Sequence, residues 1–253
     1  MHGSPFQKKE AVITAGKMLG TAIADILFPK TCIGCGREGT FLCDACLLAV
    51  PIRHEHGCPF CRHRTPLGMT CLSCSDRHAL DGIFSATPYR GNSIVEDAIH
   101  VMKYEFVAEL CDPLGRFLSE AVSRSELPLP EIIIPVPLHP WRLRFRGFNQ
   151  SARIAASLAA HLAPYLDVPV REDILIRNRF TLPQARSHDT RERQENLREA
   201  FSVSEIRDSK TRLKNATVWL VDDVATTGAT LEECAKALKK TGAKKVFGIV
   251  VAR

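Results

Sequence analysis

From residue 79 onward the chain alternates between two patterns of apolar positions. Short runs rich in β-formers, Ile83–Ala86, Ile132–Ile134, Val218–Val221 and Val246–Val251, read as buried strands. Between them, apolar residues recur every three or four positions, as an amphipathic helix requires. Ser93-x-x-Glu96 is a capping box that opens a helix through Phe106, with Ile94, Ala98, Val101 and Met102 on its apolar side. Asp112-Pro113 reads as an N-cap with proline at the first helical position, starting a helix over Leu114–Val122. A third helix from Asn149 to Ala163 carries Ala152, Ala155, Leu158, Ala159 and Leu162, and a fourth, Leu231–Leu238, is stopped by Gly242. Strand–helix alternation of this kind predicts an α/β fold with a parallel sheet flanked by helices. At the other end of the chain, residues 1–30 read as an amphipathic helix that stops before Pro29 and lacks a small-residue cleavage site.

The most informative stretch is Val218 to Thr230. Its strand ends in two adjacent carboxylates, Asp222 and Asp223, followed by a loop of small and hydroxyl residues: Ala225, Thr226, Thr227, Gly228, Ala229 and Thr230. A strand, a small-residue loop and a helix N-terminus form an anion cradle: backbone N–H groups converge, glycine permits close approach, and the helix dipole favours negative charge. The acidic pair would repel that anion. Its partners are neutral hydroxyls such as a ribose diol, or a magnesium ion beside one. The loop suits a sugar phosphate. No Gly-Lys-Ser/Thr follows, which excludes a Walker loop, and the one Gly-x-Gly-x-x-Gly match, Gly34–Gly39, follows no strand and wraps a cysteine knuckle.

Cysteine usage sets the N-terminal part apart. Eight of the 10 cysteines form four Cys-x-x-Cys pairs: Cys32/Cys35, Cys43/Cys46, Cys58/Cys61 and Cys71/Cys74. Each pair places two thiolates on one tight turn, and four thiolates satisfy tetrahedral zinc, so eight imply two structural Zn2+ sites in a double zinc ribbon. A four-cysteine site does not by itself separate zinc from iron. Successive pairing and a crossed arrangement both fit the spacing. Closed sites leave no open coordination position, which excludes catalysis there. In so small a region the metals would supply the folding energy. His54, His56, His63 and His78 are bystanders beside eight thiolates, and Cys111 and Cys234 are small core residues. The expected domains are the helix at 1–30, the ribbon at 31–78 and an α/β domain at 79–253. The lack of a secretion signal and the regular cysteine pairs imply a cytoplasmic protein, and no apolar run approaches a membrane span, so no stable membrane insertion is expected.

Net charge is a modest +6, but its distribution is uneven. Ile132 to Leu166 contains no carboxylate, while Arg142, Arg144, Arg146 and Arg153 are present with His139 and His161. An arginine-bearing loop past a buried strand is a polyanion site for pyrophosphate, nucleotide or nucleic-acid backbone. Trp141, Phe145 and Phe148 interleave with these arginines, a short version of the stacking platform that binds single-stranded DNA. A second cluster, Arg177, Arg179, Arg186, Arg191, Arg193 and Arg198, includes Asp189, Glu192 and Glu195 and reads as a solvated, salt-bridged helix.

Val218 to Thr230 resembles the motif by which type I phosphoribosyltransferases bind phosphoribosyl pyrophosphate (PRPP). Further pieces are Pro135-Val136-Pro137-Leu138-His139, Arg146-Gly147-Phe148-Asn149-Gln150, and Gln184-Ala185 followed by Arg191 to Phe201 with Asn196-Leu197-Arg198. With the cysteine pairs, Phe28-Pro29-Lys30-Thr31-Cys32 and Lys103-Tyr104, they make the chain similar to the ComF family, competence-associated proteins with a phosphoribosyltransferase domain. The resemblance implies a type I phosphoribosyltransferase fold with a hood over the site. It implies that Asp222 and Asp223 hold the ribose hydroxyls, that residues 225–230 hold the 5′-phosphate, and that Mg2+ accompanies PRPP. Pro135, Val136, Pro137, Leu138 and His139 would bind pyrophosphate, Leu143 to Gln150 would lie in or beside a mobile flap, and residues around Arg177 to Asn196 would contribute to the hood. Arg142, Arg144 and Arg146 would be flap or anion contacts. The expected activity is transfer of a 5-phosphoribosyl group from PRPP to an unidentified acceptor, with a role in DNA uptake. The alternative is a non-catalytic adaptor that binds single-stranded DNA for the competence machinery and uses the PRPP pocket as a sensor or keeps it as a vestige. No residue stands out as a general base; His139 is a candidate and equally a ligand contact.

Overall fold

A computed structural model describes residues 29–89, 93–178, 199–204 and 213–253. The expected helix at 1–30 thus lies almost wholly outside the described residues. So do Gln184, Ala185 and the arginines at 179, 186, 191, 193 and 198.

Two short helices, α1 (Asp44–Leu48) and α2 (Leu72–Ser75), accompany the cysteine pairs. The α/β part runs β1 (Gly82–Thr87), α3 (Ile94–Tyr104), α4 (Cys111–Ser123), β2 (Ile132–Pro135), α5 (Pro140–Arg146) and α6 (Gln150–Leu162). It continues through β3 (Leu175–Arg177), β4 (Phe201–Val203), β5 (Thr217–Val224), α7 (Ala229–Lys240) and β6 (Lys245–Ala252). Strands β1, β6, β5 and β2 form one sheet in that order, every pair parallel, with Ile132 opposite Val218 and Thr217 opposite Lys245. Strands β3 and β4 form a separate antiparallel pair.

Alternate residues of each strand feed opposite faces. Trp219 and Val221 of β5 pack with Phe84, Ile133, Phe247 and the apolar sides of α3, α4 and α6. Val218 and Leu220 pack with Ile83, Ile134, Val250 and α7. Apolar helix layers on both sides explain why the strands are continuous hydrophobic runs. Trp219 is fully buried and donates its indole N–H to the Pro128 carbonyl at 3.0 Å. Truncating a core residue of this size costs about 3–5 kcal/mol.

The helix ends depart from expectation where side chains have tertiary partners. Ser93 caps α3, its hydroxyl accepting from the Glu96 amide at 3.2 Å. The reciprocal half of the box is missing, since Glu96 Oε1 is buried without a hydrogen-bond partner among the described residues, and the helix ends at Tyr104. Asp112 is not an N-cap: α4 starts one residue earlier, after a 3-10 turn over Ala108–Leu110. Its carboxylate instead accepts from the Ser157 hydroxyl of α6 at 2.9 Å. Beside it Gly115 lets the helices touch, for a Cβ there would stand 2.8 Å from the Ile154 carbonyl oxygen. That contact seats α6, whose N-terminus reaches the acidic pair.

Candidate functional site

Strand β5 runs three residues past the expected end at Val221, so Asp222 and Asp223 lie within the paired strand, with Asp222 opposite Val250. In a parallel sheet the strand C-termini share one edge, where ligands of α/β proteins bind. Alternation sends the two carboxylates different ways. Asp223 is buried under α3, where Lys103 Nζ meets its Oδ1 at 2.8 Å, while its Oδ2 is buried with no hydrogen-bond partner among the described residues. Asp222 Oδ1 accepts from the Ser151 hydroxyl at 2.7 Å and from the Asp223 amide at 2.9 Å. Burial and the neighbouring Asp223 charge push the Asp222 carboxyl up to about 7, against the pull of Lys103 and Ser151. Asp222 is half-buried and keeps partial access to solvent. Burial also disfavours the Lys103 ammonium, but the Asp223 carboxylate outweighs it and holds the amine above its ordinary range.

The loop that follows has the form of a cradle. Gly228 caps α7 with φ of 80°, the left-handed region in which a side chain is strained, and a Cβ there would stand 2.8 Å from Ile83 Cδ1. The helix takes in Ala229 and Thr230, two residues earlier than the apolar pattern implies. The Ala229 amide donates to Thr227 Oγ1 at 3.3 Å, whereas those of Thr226, Thr227 and Gly228 find no acceptor among the described residues. Unmatched N–H groups at a helix N-terminus are donors for an oxyanion.

Pro135 to His139 lead from β2 directly alongside. Pro135 pairs with Val221, the Val136 amide donates to the Val221 carbonyl at 2.9 Å, and Asn149 Nδ2 donates to the Val136 carbonyl at 3.1 Å. Asn149 also caps α6, so one residue ties this loop to the helix that holds Asp222. His139 caps α5, its Nδ1 accepting from the Trp141 amide at 3.2 Å. The segment matched to a flap is therefore helix α5, a left-handed Gly147 and the cap of α6. Arg146 donates to Gln150 Oε1 at 2.7 Å. Burial, and then the charges of Arg177 and Arg146, lower the Arg142 guanidinium. Arg144 is exposed. Of the interleaved aromatics, Trp141 and Phe145 are exposed and stacked, with ring centroids 5.7 Å apart. Phe148 does not join them: it is buried and lies beneath the Arg153 guanidinium, because it anchors the turn between α5 and α6.

The cysteines gather as two groups, Cys32, Cys35, Cys43 and Cys46, and Cys58, Cys61, Cys71 and Cys74, the sulfurs of each within 4.8 Å of one another. Successive pairs therefore share a centre. The Cys43 amide points at Cys32 Sγ at 3.3 Å and the Cys71 amide at Cys58 Sγ at 3.5 Å. Burial raises both Cys32 and Cys58, but backbone N–H groups outweigh it and bring each thiol down to about 6. Four converging sulfurs with N–H support suit tetrahedral zinc, which these residues could hold. His56 stacks on Phe84 and His78 on Phe60, outside both groups, and Cys111 and Cys234 are buried.

Two residues at the acidic pair carried no chemical signal of their own. Lys103 had stood out only as part of a family-like dipeptide, and Ser151 is an ordinary polar residue on an Ala-rich helix. Only the crossing of α3 and α6 over the strand ends brings them in.

A family model described as a phosphoribosyl transferase domain matches residues 152–253. "Competence protein F" of Haemophilus influenzae is 40% identical over 127 residues, which span 50% of this chain and 52% of that protein. "DNA utilization protein YhgH" of Salmonella typhi is 30% identical over 222 residues, 86% of each chain. "Competence protein ComFC" of Bacillus subtilis is 24% identical over 208 residues, 79% of each chain.

Proposed function

The chain belongs to the ComF family, and from that premise we propose that it binds PRPP with Mg2+ and transfers the 5-phosphoribosyl group to an acceptor. The observation that carries this reading is the acidic pair at the β5 terminus beside a loop whose amides at Thr226, Thr227 and Gly228 find no acceptor among the described residues. In the proposed complex Asp222 and Asp223 accept hydrogen bonds from the ribose hydroxyls, and the loop at 225–230 binds the 5′-phosphate. The buried Asp223 Oδ2, without a hydrogen-bond partner among the described residues, and the raised Asp222 carboxyl fit a site completed by a cation or hydroxyl donors. Bound Mg2+ would offset the charge of the departing pyrophosphate. Residues 135–139 with Arg142 and Arg146 would receive that pyrophosphate, and the two guanidiniums would favour charge developing on it. Lys103 would have to yield Asp223 as ligand arrives. His139, engaged as a helix cap, is assigned no proton transfer. Pyrophosphate release from PRPP across a panel of bases and amines tests this: turnover with at least one acceptor, lost in Asp222→Asn, supports it, and no turnover with any acceptor counts against catalysis.

A second reading rests on a separate observation, the exposed Trp141–Phe145 stack on an arginine-rich helix. There the protein is an adaptor for single-stranded DNA in a competence or DNA-handling apparatus, with bases stacked on α5. In both readings residues 31–78 form the double zinc ribbon, residues 79–253 the catalytic-type domain, and the protein works in the cytoplasm. Among the described residues no helix is long and apolar enough to cross a membrane.

A further inference from the structure

The segment that leaves the second cysteine group and enters β1 is held by a helix far along the chain. Both carboxylate oxygens of Glu232, in the first turn of α7, accept from backbone: Oε1 from the Ala79 amide and Oε2 from the Leu80 amide, each at 3.0 Å. The Glu232 side chain is buried, with His78 Nδ1 at 3.6 Å and Lys236 Nζ at 3.9 Å from Oε1. From the other direction Thr70, next to Cys71, donates its hydroxyl to the Leu80 carbonyl at 2.6 Å and its amide to the Asp81 carbonyl at 2.8 Å. His78 in turn stacks on Phe60, which lies between Cys58 and Cys61, with ring centroids 3.4 Å apart. Residues 79 and 80 thus join the cysteine turns to α7.

Glu232 also stands at the edge of the loop at 225–230. Its amide donates to the carbonyl of Gly228, the residue that caps α7, at 2.9 Å. A buried carboxylate stripped of its donors is left charged and desolvated, which costs more than the lost bonds contributed. If residues 79 and 80 moved away, Glu232 would have to reach water, and the turn that carries it would open with it. The fold of the cysteine turns keeps those residues in place. Their four sulfurs suit a zinc ion, and so small a region draws its folding energy from that metal. The first cysteine group packs elsewhere. Phe41, Leu42 and Leu47 beside it join the cluster with α3 and α4, whereas Phe60, Ala79 and Leu80 join the cluster with Leu231 and Leu238 of α7.

We propose that Glu232 is a positioning residue that couples the second cysteine centre to the loop at 225–230. The folded, metal-bearing turns hold residues 79 and 80, these hold Glu232, and Glu232 sets the first turn of α7. Zinc in that centre and a phosphate in the loop then favour each other, because each stabilises the same placement of that turn, and such coupling is reciprocal. The phosphate half of this statement rests on the proposed role of the loop; the coupling of the cysteine turns to α7 does not.

The test uses the full-length, zinc-loaded protein and four variants. Cys58→Ser and Cys32→Ser each break one cysteine centre, Glu232→Gln keeps both, and the last combines Glu232→Gln with Cys58→Ser. Hydrogen exchange of the backbone amides over residues 226–232 reads the loop and helix turn, elemental analysis counts zinc, and calorimetry measures binding of PRPP with Mg2+. Cys58→Ser and Glu232→Gln should each speed exchange there by about tenfold, the size of one hydrogen bond to a charged group. Cys32→Ser should stay within twofold of wild type. Adding Cys58→Ser to Glu232→Gln should change exchange by less than twofold, whereas a role confined to α7 would let the two effects multiply. PRPP affinity should fall in Cys58→Ser and Glu232→Gln and hold in Cys32→Ser. Absence of PRPP binding to wild type, with exchange coupled as described, would count against the PRPP reading and leave the coupling standing. Multiplying effects, equal acceleration by Cys58→Ser and Cys32→Ser, or exchange in Glu232→Gln within twofold of wild type would each overturn the proposal. The last of these decides the matter even if Cys58→Ser fails to fold.

Discussion

The raised Asp222 carboxyl makes a prediction whose sign is opposite to the usual behaviour of a native carboxylate. An unfolded aspartate releases its proton as the pH passes about 4, whereas Asp222 in the folded protein keeps its proton to about 7. Between these values the folded state binds more protons, so stability contributed by Asp222 is present at low pH and is lost as the pH rises towards 7. A carboxyl lifted from 3.8 to about 7 corresponds to about 4 kcal/mol at 1.36 kcal/mol per pH unit. Partial solvent access at Asp222 reduces this, and roughly 2 kcal/mol is the expected drift between pH 5 and 8. The perturbation is Asp222→Asn, which removes the titration and keeps the shape. Trp219, buried on the same strand, reports unfolding by fluorescence once the exposed Trp141 is replaced by phenylalanine, since the chain has 2 tryptophans. Zinc-ligand titration contributes equally to both proteins and cancels in the difference. Wild type should lose about 2 kcal/mol relative to Asp222→Asn from pH 5 to 8. Parallel stability curves for the two proteins would refute the reasoning.

Elemental analysis should find two zinc ions per chain, and Cys58→Ser should remove one of them, because each group of four sulfurs is a separate centre. Gly228→Ala forces a left-handed φ of 80° and a contact with Ile83, so PRPP affinity should fall and thermal unfolding should show a loss of about 1–2 kcal/mol. Alanine at Arg142, Arg144 and Arg146 should flatten the salt dependence of single-stranded DNA binding by about two in slope if α5 is a strand platform. Unchanged DNA binding with a sharp drop in turnover would instead assign those arginines to pyrophosphate.

What could be read from the chain was whatever is encoded locally. Four runs of β-formers and the 3.6-residue periodicity gave the parallel sheet with its helices, because burial on both faces leaves no other pattern. The Cys-x-x-Cys spacing likewise located both metal-type centres, but not which pairs join, since that depends on how the turns fold back. Tertiary partners escaped notice. Asp112 looked like a cap because nothing local reveals Ser157, forty-five positions away, as the group it holds. Phe148 looked like part of a platform because alternation with arginine does not tell a turn anchor from an exposed ring. Lys103 reaches Asp223 across 120 residues, on a helix whose sequence shows only its own amphipathic face.

The central claim is that Asp222 and Asp223 serve a ribose phosphate. Calorimetry with PRPP and Mg2+ on wild type and on the Asp222→Asn, Asp223→Asn double variant tests it most directly. Each lost contact is worth roughly 1–3 kcal/mol, so the account predicts clear binding by wild type and a loss of at least thirtyfold in the variant. Equal affinities for the two proteins would contradict it.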